Sequence, residues 1–243
     1  KIMKCKGMKD IKIEGELVEA RFVKRLNRFV AVVEMKGVQQ FAHVPNTGRL
    51  KELLTERATV LVRKYDNPVR KTKYGLLLVE KNGIWVSIDS ANVPNRVVHE
   101  ALKQGKFEQF QGFDEIRREV IKGDSRFDFG LFSSDREYYI EVKGVTLVEN
   151  RQAFFPDAPT SRGSRHLEGL IKLKQMGKGA GVIFIVQRED ADVMRPNDRT
   201  DKDFGDLLRK SGRMGVDLMA YVCKVDVVQK SIDILRQIPV IAD

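Results

Sequence analysis

Cysteine is almost missing from this 243-residue chain. Cys5 and Cys223 are far apart and in unrelated surroundings, which argues against a disulfide framework and against a cysteine-built zinc site. Long apolar runs are also missing. The longest, Val182-Ile183-Phe184-Ile185-Val186, falls far short of the ~18 residues a membrane-spanning helix needs. No apolar signal core follows the lysine-rich start, so the sequence predicts a soluble, untargeted, cytoplasmic protein with no membrane partner. Internal repeats and low-complexity tracts are absent too, which leaves no reason to expect a solenoid. What is present is 42% hydrophobic content, enough for a sizeable core in one large domain or two modest ones.

Charge is the next signal. Lys and Arg number 44 against 34 Asp and Glu, a formal net charge of +10, and such an excess favours a polyanionic partner through long-range attraction and counterion release. Charge alone does not decide this. A protein-interaction module with incidental basic charge has the same composition.

From Gly15 to Asp89 the pattern is mostly strand-like: Gly15–Leu26, Phe29–Met35, Gln39–Val44, Thr59–Tyr65, Gly75–Glu80 and Trp85–Asp89. Thr47 to Leu54, with a plausible N-cap and apolar residues at helical spacing, reads as a helix between the third and fourth strands. That order suits an oligonucleotide-binding (OB) barrel. Ser90 to Asn95 then forms a connector, and a helix over Arg96–Phe107 capped by Asn95 opens a second pattern. Strands over Ile116–Lys122, Phe127–Phe132, Tyr138–Lys143, Gly181–Gln187 and Asp217–Val225 alternate there with helices over His166–Met176 and Lys202–Ser211. Ser231–Val240 is a short last element or a tail. The expected architecture is therefore an OB-like barrel over residues 1–92 and an α/β domain, a mixed sheet flanked by helices, over residues 93–243.

Two acids interrupt apolar strands in the second unit. If Phe127–Phe132 and Tyr138–Lys143 form a hairpin turning at Ser134-Asp135, Asp128 falls opposite Glu141. Alternation then places Phe127, Phe129, Leu131, Ile140 and Val142 on one face, with Asp128, Glu141 and Lys143 on the other. Opposed Cβ atoms lie ~5 Å apart, and two negative charges at that distance repel by roughly 3 kcal/mol at an effective dielectric of ~20. A shared proton, the Lys143 cation or a bound hard metal ion such as Mg²⁺ or Mn²⁺ would relieve this. The metal alternative carries chemistry: an ion held by Asp128 and Glu141 beside Lys143 suits phosphodiester hydrolysis. The competing reading is a solvated polar face with an ion pair to Lys143. An acid-x-Lys tripeptide occurs three times in the chain, at Asp10, Glu34 and Glu141. Only the third lies opposite another in-register acid, and that inference needs an even-residue loop.

The helix acid Glu100 with Asp128, Glu141 and Lys143 resembles the PD-(D/E)xK nuclease superfamily, although Phe127 stands where that superfamily's naming proline would be. At closer range the chain resembles the sugar fermentation stimulation protein A family. The resemblance is carried by His43-Val-Pro-Asn-Thr-Gly-Arg49, Ser125-Arg-Phe-Asp-Phe129, Glu141-Val-Lys-Gly-Val-Thr-Leu147 and Phe155-Pro-Asp-Ala-Pro-Thr-Ser-Arg-Gly163 followed by His166-Leu167. It extends from about Gly15 to the neighbourhood of Ile238. It implies an OB barrel, a nuclease-like second domain and DNA binding with little sequence preference. Metal ligands at Asp128, Glu141 and Glu100 would follow, with Lys143 as the catalytic cation and Glu119 a rival third carboxylate. The family's name implies an alternative, a noncatalytic DNA-binding regulator of sugar (maltose) metabolism genes.

The segment Arg63-Lys64-Tyr65 to Arg70-Lys71-Thr72-Lys73-Tyr74 gathers five cations and two tyrosines around a proline turn, a composition suited to backbone attraction with base stacking. Arg21, Lys24, Arg25 and Arg28 are candidates to extend it. The Pro-broken loop Phe154–Ser164, with Arg162 and then Arg165-His166 at a helix start, reads as substrate-facing, its cations and backbone N–H groups suited to phosphate. Asp157 after Pro156 is a decoy for the missing Pro-Asp pair. His166 reads as a cap or packed surface residue that could assist chemistry.

Overall fold

The computed structural model describes residues 11–67 and 69–242; Cys5, Asp10 and the Pro68 of the expected proline turn lie outside them. The strands in chain order are β1 (Ile11–Lys12), β2 (Leu17–Asn27), β3 (Val30–Met35), β4 (Val38–His43), β5 (Thr59–Lys64), β6 (Tyr74–Lys81) and β7 (Ile84–Ser87). Helix α1 (Val93–Lys103) follows, then β8 (Glu115–Lys122), β9 (Ser125–Phe132), β10 (Glu137–Val145), β11 (Leu147–Glu149) and β12 (Gln152–Phe155). The chain ends with α2 (Ser161–Gln175), β13 (Gly179–Val186), β14 (Val193–Pro196), α3 (Lys202–Arg213), β15 (Asp217–Asp226) and β16 (Ser231–Ile238).

Strands β2 to β6 close a barrel. The sheet order is β4-β3-β2-β5-β6-β7, and a β4–β6 pairing joins its ends. Alternating residues such as Ala20, Phe22, Ala31, Val33, Ala42, Val60, Val62 and Leu76 fill the interior. The helix expected over Thr47–Leu54 does not form. Leu50 has a left-handed φ of 53°, and the segment's polar groups are claimed elsewhere, Gly48 N–H by Asn46 Oδ1 and Leu50 N–H by Asp157. Its apolar spacing serves another purpose: Leu50 and Leu53 are buried in the barrel core.

The second sheet runs β1-β16-β15-β13-β10-β9-β8, with β10, β13 and β15 parallel. Helix α1 packs on one face through Val97, Val98 and Ala101 against Ile140, Val142 and Ile183. Helices α2 and α3 cover the other through Leu167, Leu170, Phe204 and Leu208 against Val182, Phe184 and Val222. Burial on both faces explains why the β13 sequence is an unbroken apolar run. Residues 11 and 12 precede the barrel in sequence yet pair with β16, so the second sheet takes its edge strand from the chain's start. A small sheet, β11-β12-β14, was not expected; strands of three or four residues are too short to show alternation. No helix of the described residues is long and apolar enough to cross a membrane.

Helix α1 begins at Val93 after Asn92, with Pro94 in its first turn, where a missing N–H costs little. Asn95 is therefore inside the helix rather than its cap, which leaves its side chain for another task.

The start of β10 gives a pH prediction. Glu137 accepts from the Tyr139 hydroxyl at 2.7 Å, Lys178 at 3.1 Å and Lys122 at 3.2 Å, and these partners hold its carboxyl down at about 2. A depressed carboxyl contributes stability that is present above its unfolded value near ~4.3 and is lost as pH falls towards about 2. The site is solvated, so screening keeps the contribution below ~1 kcal/mol. Glu137→Gln is expected to flatten the acid limb of a stability-versus-pH curve measured by urea unfolding between pH 5 and 2.

Candidate functional site

The β9–β10 hairpin has the expected register: Phe132 pairs with Glu137, Leu131 with Tyr138, Gly130 with Tyr139 and Phe129 with Ile140. The ladder then stops. Beyond Phe129 and Ile140 the strands part, and the Asp128 carboxylate takes the Val142 N–H at 2.8 Å in place of a backbone partner. On β8, Glu119 stands level with Asp128 between the pairs Arg118–Phe129 and Val120–Phe127, with a left-handed φ of 55°. This local distortion corrects the expected facing. Phe129 and Leu131 join the α1-side core, whereas Phe127 joins Tyr139 and Leu170 on the α2 side.

Asp128 and Glu141 are thus neighbours at the split end of the hairpin. Asn95 on α1 donates to Asp128 Oδ1 at 2.8 Å. Burial and then the Glu141 charge push the Asp128 carboxyl up. Glu141 is 3% exposed. Lys143 Nζ donates to its Oε1 at 2.5 Å, and His166 Nδ1 from α2 meets the same oxygen. Burial opposes ionisation of Glu141, but the His166 hydrogen bond and the Lys143 charge outweigh it and hold the carboxyl below its ordinary value. Its other oxygen, Oε2, is buried without a partner. Buried carboxylate oxygens are normally satisfied, so this orphan marks a place for a cation or donor. Two hard oxygen donors side by side suit a divalent ion of the Mg²⁺ or Mn²⁺ kind.

Glu100 is not gathered with them. It sits five residues beyond Asn95, roughly 140° further round the helix, near Lys103 at 3.5 Å and His99 at 3.9 Å. Glu119 is ion-paired at the surface with Arg126 at 3.0 Å. Among the described residues no group of three or more His, Cys, Asp or Glu is arranged to hold a metal. Asn95 and His166 are the residues the sequence reading placed elsewhere. Both share an apolar stripe, Asn95 with Val98 and Leu102, His166 with Leu170 and Leu173, and a polar residue on such a stripe is the signal that could have found them.

Two concavities are lined by neighbours of the pair, Asn95 in one and Gly144 in the other. A groove of about 800 Å³ is lined by Lys12, Asn95, Arg96, His99, Lys103 and Arg118, with Glu100 and Glu119. A cleft of about 520 Å³ between barrel and second unit is lined by Arg28, Thr47, Arg49, Gly144, Asp157 and Thr160. Asp157 is the clasp across it, accepting the Leu50 N–H at 2.7 Å, and burial pushes its carboxyl up. Arg25 turns into the barrel rim, donating to the carbonyls of Arg28, Asn46, Gly48 and Arg49, so it does not extend a basic patch.

In the cationic loop, Tyr65 is sandwiched by Arg63 at 4.7 Å and Arg70 at 3.7 Å from its ring centre, and Tyr74 packs on the barrel core. Neither tyrosine is a free stacking surface. Lys64 lies 3.9 Å from both Glu16 and Asp66, while Lys71 and Lys73 are exposed. Arg162 and Arg165 lie exposed on α2. Of the backbone N–H groups at that helix start, Gly163 N–H is taken by the Thr160 cap at 3.0 Å.

A closed five-stranded OB barrel joined to a mixed sheet flanked by helices defines a two-domain protein with a buried acid pair in its second unit. The chain belongs to the sugar fermentation stimulation protein family: residues 23–88 match the SfsA N-terminal OB domain and residues 92–229 the sugar fermentation stimulation protein RE domain. It is 72% identical over 231 residues to a sugar fermentation stimulation protein homolog of Acetivibrio thermocellus, covering 95% of this chain and 99% of that one. A homolog from Clostridium acetobutylicum is 45% identical over 232 residues, covering 95% and 100%. The structure of Pyrococcus furiosus SfsA in complex with Ca²⁺ superimposes with a TM-score of 0.86 at 28% identity, covering 97% of this chain and 100% of that one.

Proposed function

We propose that this protein binds DNA with little sequence preference and hydrolyses phosphodiester bonds with Mg²⁺ or Mn²⁺ held by Asp128 and Glu141, its second unit being nuclease-like. The observation that carries this reading is the partnerless, buried Oε2 of Glu141 beside Asp128. The Ca²⁺ complex of the Pyrococcus furiosus protein supports it. When bound, the ion would supply polarisation of a phosphoryl oxygen and acidification of an attacking water. The chain's own residues do the rest. Asn95 and the Val142 N–H fix the orientation of Asp128. His166 braces Glu141, leaving Lys143 Nζ to orient the water or meet charge that develops on the phosphate. The exposed Lys71, Lys73, Arg162 and Arg165, with Arg63, Lys64 and Arg70, attract the phosphate backbone.

Incubating the protein with single- and double-stranded DNA and Mg²⁺ or Mn²⁺ tests this. Cleavage is expected from the wild type and a loss of at least a hundredfold in Lys143→Ala, in line with removal of one transition-state electrostatic group. Cleavage that survives the substitution would overturn the assignment. A second reading, a noncatalytic DNA-binding regulator on the same fold, draws on the absence of a third carboxylate among the described residues and on the engagement of Glu141 Oε1 by both Lys143 and His166. DNA binding without cleavage under either ion would favour it.

A further inference from the structure

Helix α1 buries Val97, Val98 and Ala101, and the stripe opposite them is polar. Asn92, Arg96, His99 and Lys103 follow one another there at helical spacing, and all four line the groove of about 800 Å³. Two strands contribute the rest of its polar lining. Arg118 on β8 opposes Phe129, a member of the α1-side core, and because opposed residues share a face, Arg118 points to the α1 side. Lys12 arrives from the start of the chain through the pairing of β1 with β16. Its carbonyl accepts from the Arg96 guanidinium at 3.2 Å.

The groove is positive. Its two carboxylates are engaged, Glu100 by Lys103 at 3.5 Å and Glu119 by Arg126 at 3.0 Å, while Lys12, Lys103 and Arg118 are exposed. Burial and then the Arg118 and Lys103 charges push the His99 imidazole down, as a field of that sign does. No Phe, Tyr or Trp is among the described residues that line it, and the His99 ring is stacked on Phe129 at 5.9 Å. It therefore offers charge to a backbone rather than a platform to bases. Asn95, also in the lining, donates to Asp128 Oδ1 at 2.8 Å and so ties the groove to the acid pair. From Asn95 to Lys103 the helix rises ~12 Å, about three nucleotides of a strand that rises ~3.4 Å per residue.

We propose that this groove is the track of the scissile strand, with Arg96, Lys103 and Arg118 holding successive backbone phosphates and Asn95 marking where the next one meets the acid pair. This deepens, and rests on, the DNA-hydrolysing reading above. Phosphate contacts position a strand without reading its sequence, so a track built of cations matches binding with little sequence preference. The barrel loop then supplies attraction at a distance, and α1 supplies position. A merely solvated helix face requires no concavity and no second strand to hold its arginine. Here β1 does that, which gives the chain's crossing to the second sheet a functional consequence.

Fluorescence anisotropy in EDTA, where no metal-dependent cleavage occurs, tests this with labelled DNA duplexes of several sequences over a range of salt. Each phosphate contact contributes ~0.9 to the steepness of log affinity against log salt. Arg96→Gln/Arg118→Gln is therefore expected to reduce it by about 1.8, equally for every sequence, and Arg118→Gln alone by about half as much. Both side chains reach solvent, so the melting temperature is expected to hold. Lys210→Gln/Arg213→Gln removes the same charge from the last turn of α3, on the other face of the sheet, and is expected to leave the steepness unchanged. An unaltered salt dependence in the groove variant overturns the track, as does an equal reduction in both variants, which leaves only diffuse attraction. In Mn²⁺ the groove variant is expected to raise KM and keep kcat, the mark of lost uniform binding. A wild type that cleaves nothing, with the groove variant still losing salt dependence, defeats the hydrolytic reading alone. Binding and cleavage by the wild type, with salt dependence and KM both untouched in the groove variant, defeat the track alone.

Discussion

Glu141→Ala is expected to abolish metal-dependent cleavage and to cost about 3–5 kcal/mol of stability, the scale of breaking a buried ion pair from one side. The side chains of Lys143 and His166 are only 12% and 11% exposed, and both meet the oxygen that alanine removes. They would be left without that partner and would draw water into the gap between β10 and α2. Glu141→Gln keeps the shape and is expected to cost less while removing the metal response as fully. That response is read from thermal unfolding. At a hundredfold excess over its dissociation constant an ion bound only by the folded state adds ~2.7 kcal/mol, so Mn²⁺ raises the wild-type midpoint and leaves Glu141→Gln flat. Lys143→Met separates the roles: it is expected to keep the metal-induced rise and lose cleavage. Equal stabilisation of Glu141→Gln and wild type by Mn²⁺ would place the ion elsewhere and remove the basis of the hydrolytic assignment.

The register of the acid pair was legible because it rests on local rules: two strands of period two and an even connection of four residues, Ser133–Arg136, between paired Phe132 and Glu137. The strand split at Asp128 was not legible. It depends on a left-handed Glu119 and on Asp128 replacing a ladder acceptor, and neither leaves a mark in alternation. Leu50 and Leu53 mimic helical spacing because both must reach the barrel interior from a single rim segment, a tertiary demand that competes with propensity. Asn95 looked like a cap because Asn favours caps, but Asp89 holds Asn92 and starts the helix three residues earlier. His166 is 25 residues from Glu141 in sequence, and only the packing of α2 on β10 brings them together. The cationic loop shows the opposite failure. Its composition was read correctly as basic and aromatic, yet Arg63 and Arg70 spend themselves on Tyr65 and Tyr74 packs on the barrel core, contacts that composition alone does not reveal.

Arg188→Ala is expected to uncouple the barrel from the second unit. The Arg188 side chain is 2% exposed, and its fork is filled: Nη1 donates to Glu52 at 2.5 Å and to the Thr146 carbonyl at 3.1 Å, Nε and Nη2 to Asp190 at 2.6 and 2.8 Å. Glu52 belongs to the barrel turn and Asp190 to the loop after β13, so one guanidinium joins the two cores. Alanine leaves two half-buried carboxylates facing each other, for a loss of about 3–5 kcal/mol. Lysine recovers little of it, because an ammonium cannot match the bidentate geometry. The chain's single tryptophan, Trp85 on β7, makes the uncoupling visible, since it packs against the α1-side core of the second unit and its fluorescence follows that contact, while far-ultraviolet circular dichroism follows both units. The two thermal transitions are expected to coincide in the wild type and to separate in Arg188→Ala, the tryptophan signal melting first. The Asp157–Leu50 and Gln187–Ser87 hydrogen bonds persist in that variant, so the separation is partial. A double-mutant cycle with Glu52→Ala is expected to return a coupling of ~1–3 kcal/mol. Coincident transitions and additive losses would show that Arg188 stabilises its own loop alone and that the domains are held by Asp157 and by the packing of Leu77 and Leu78 into the α1-side core.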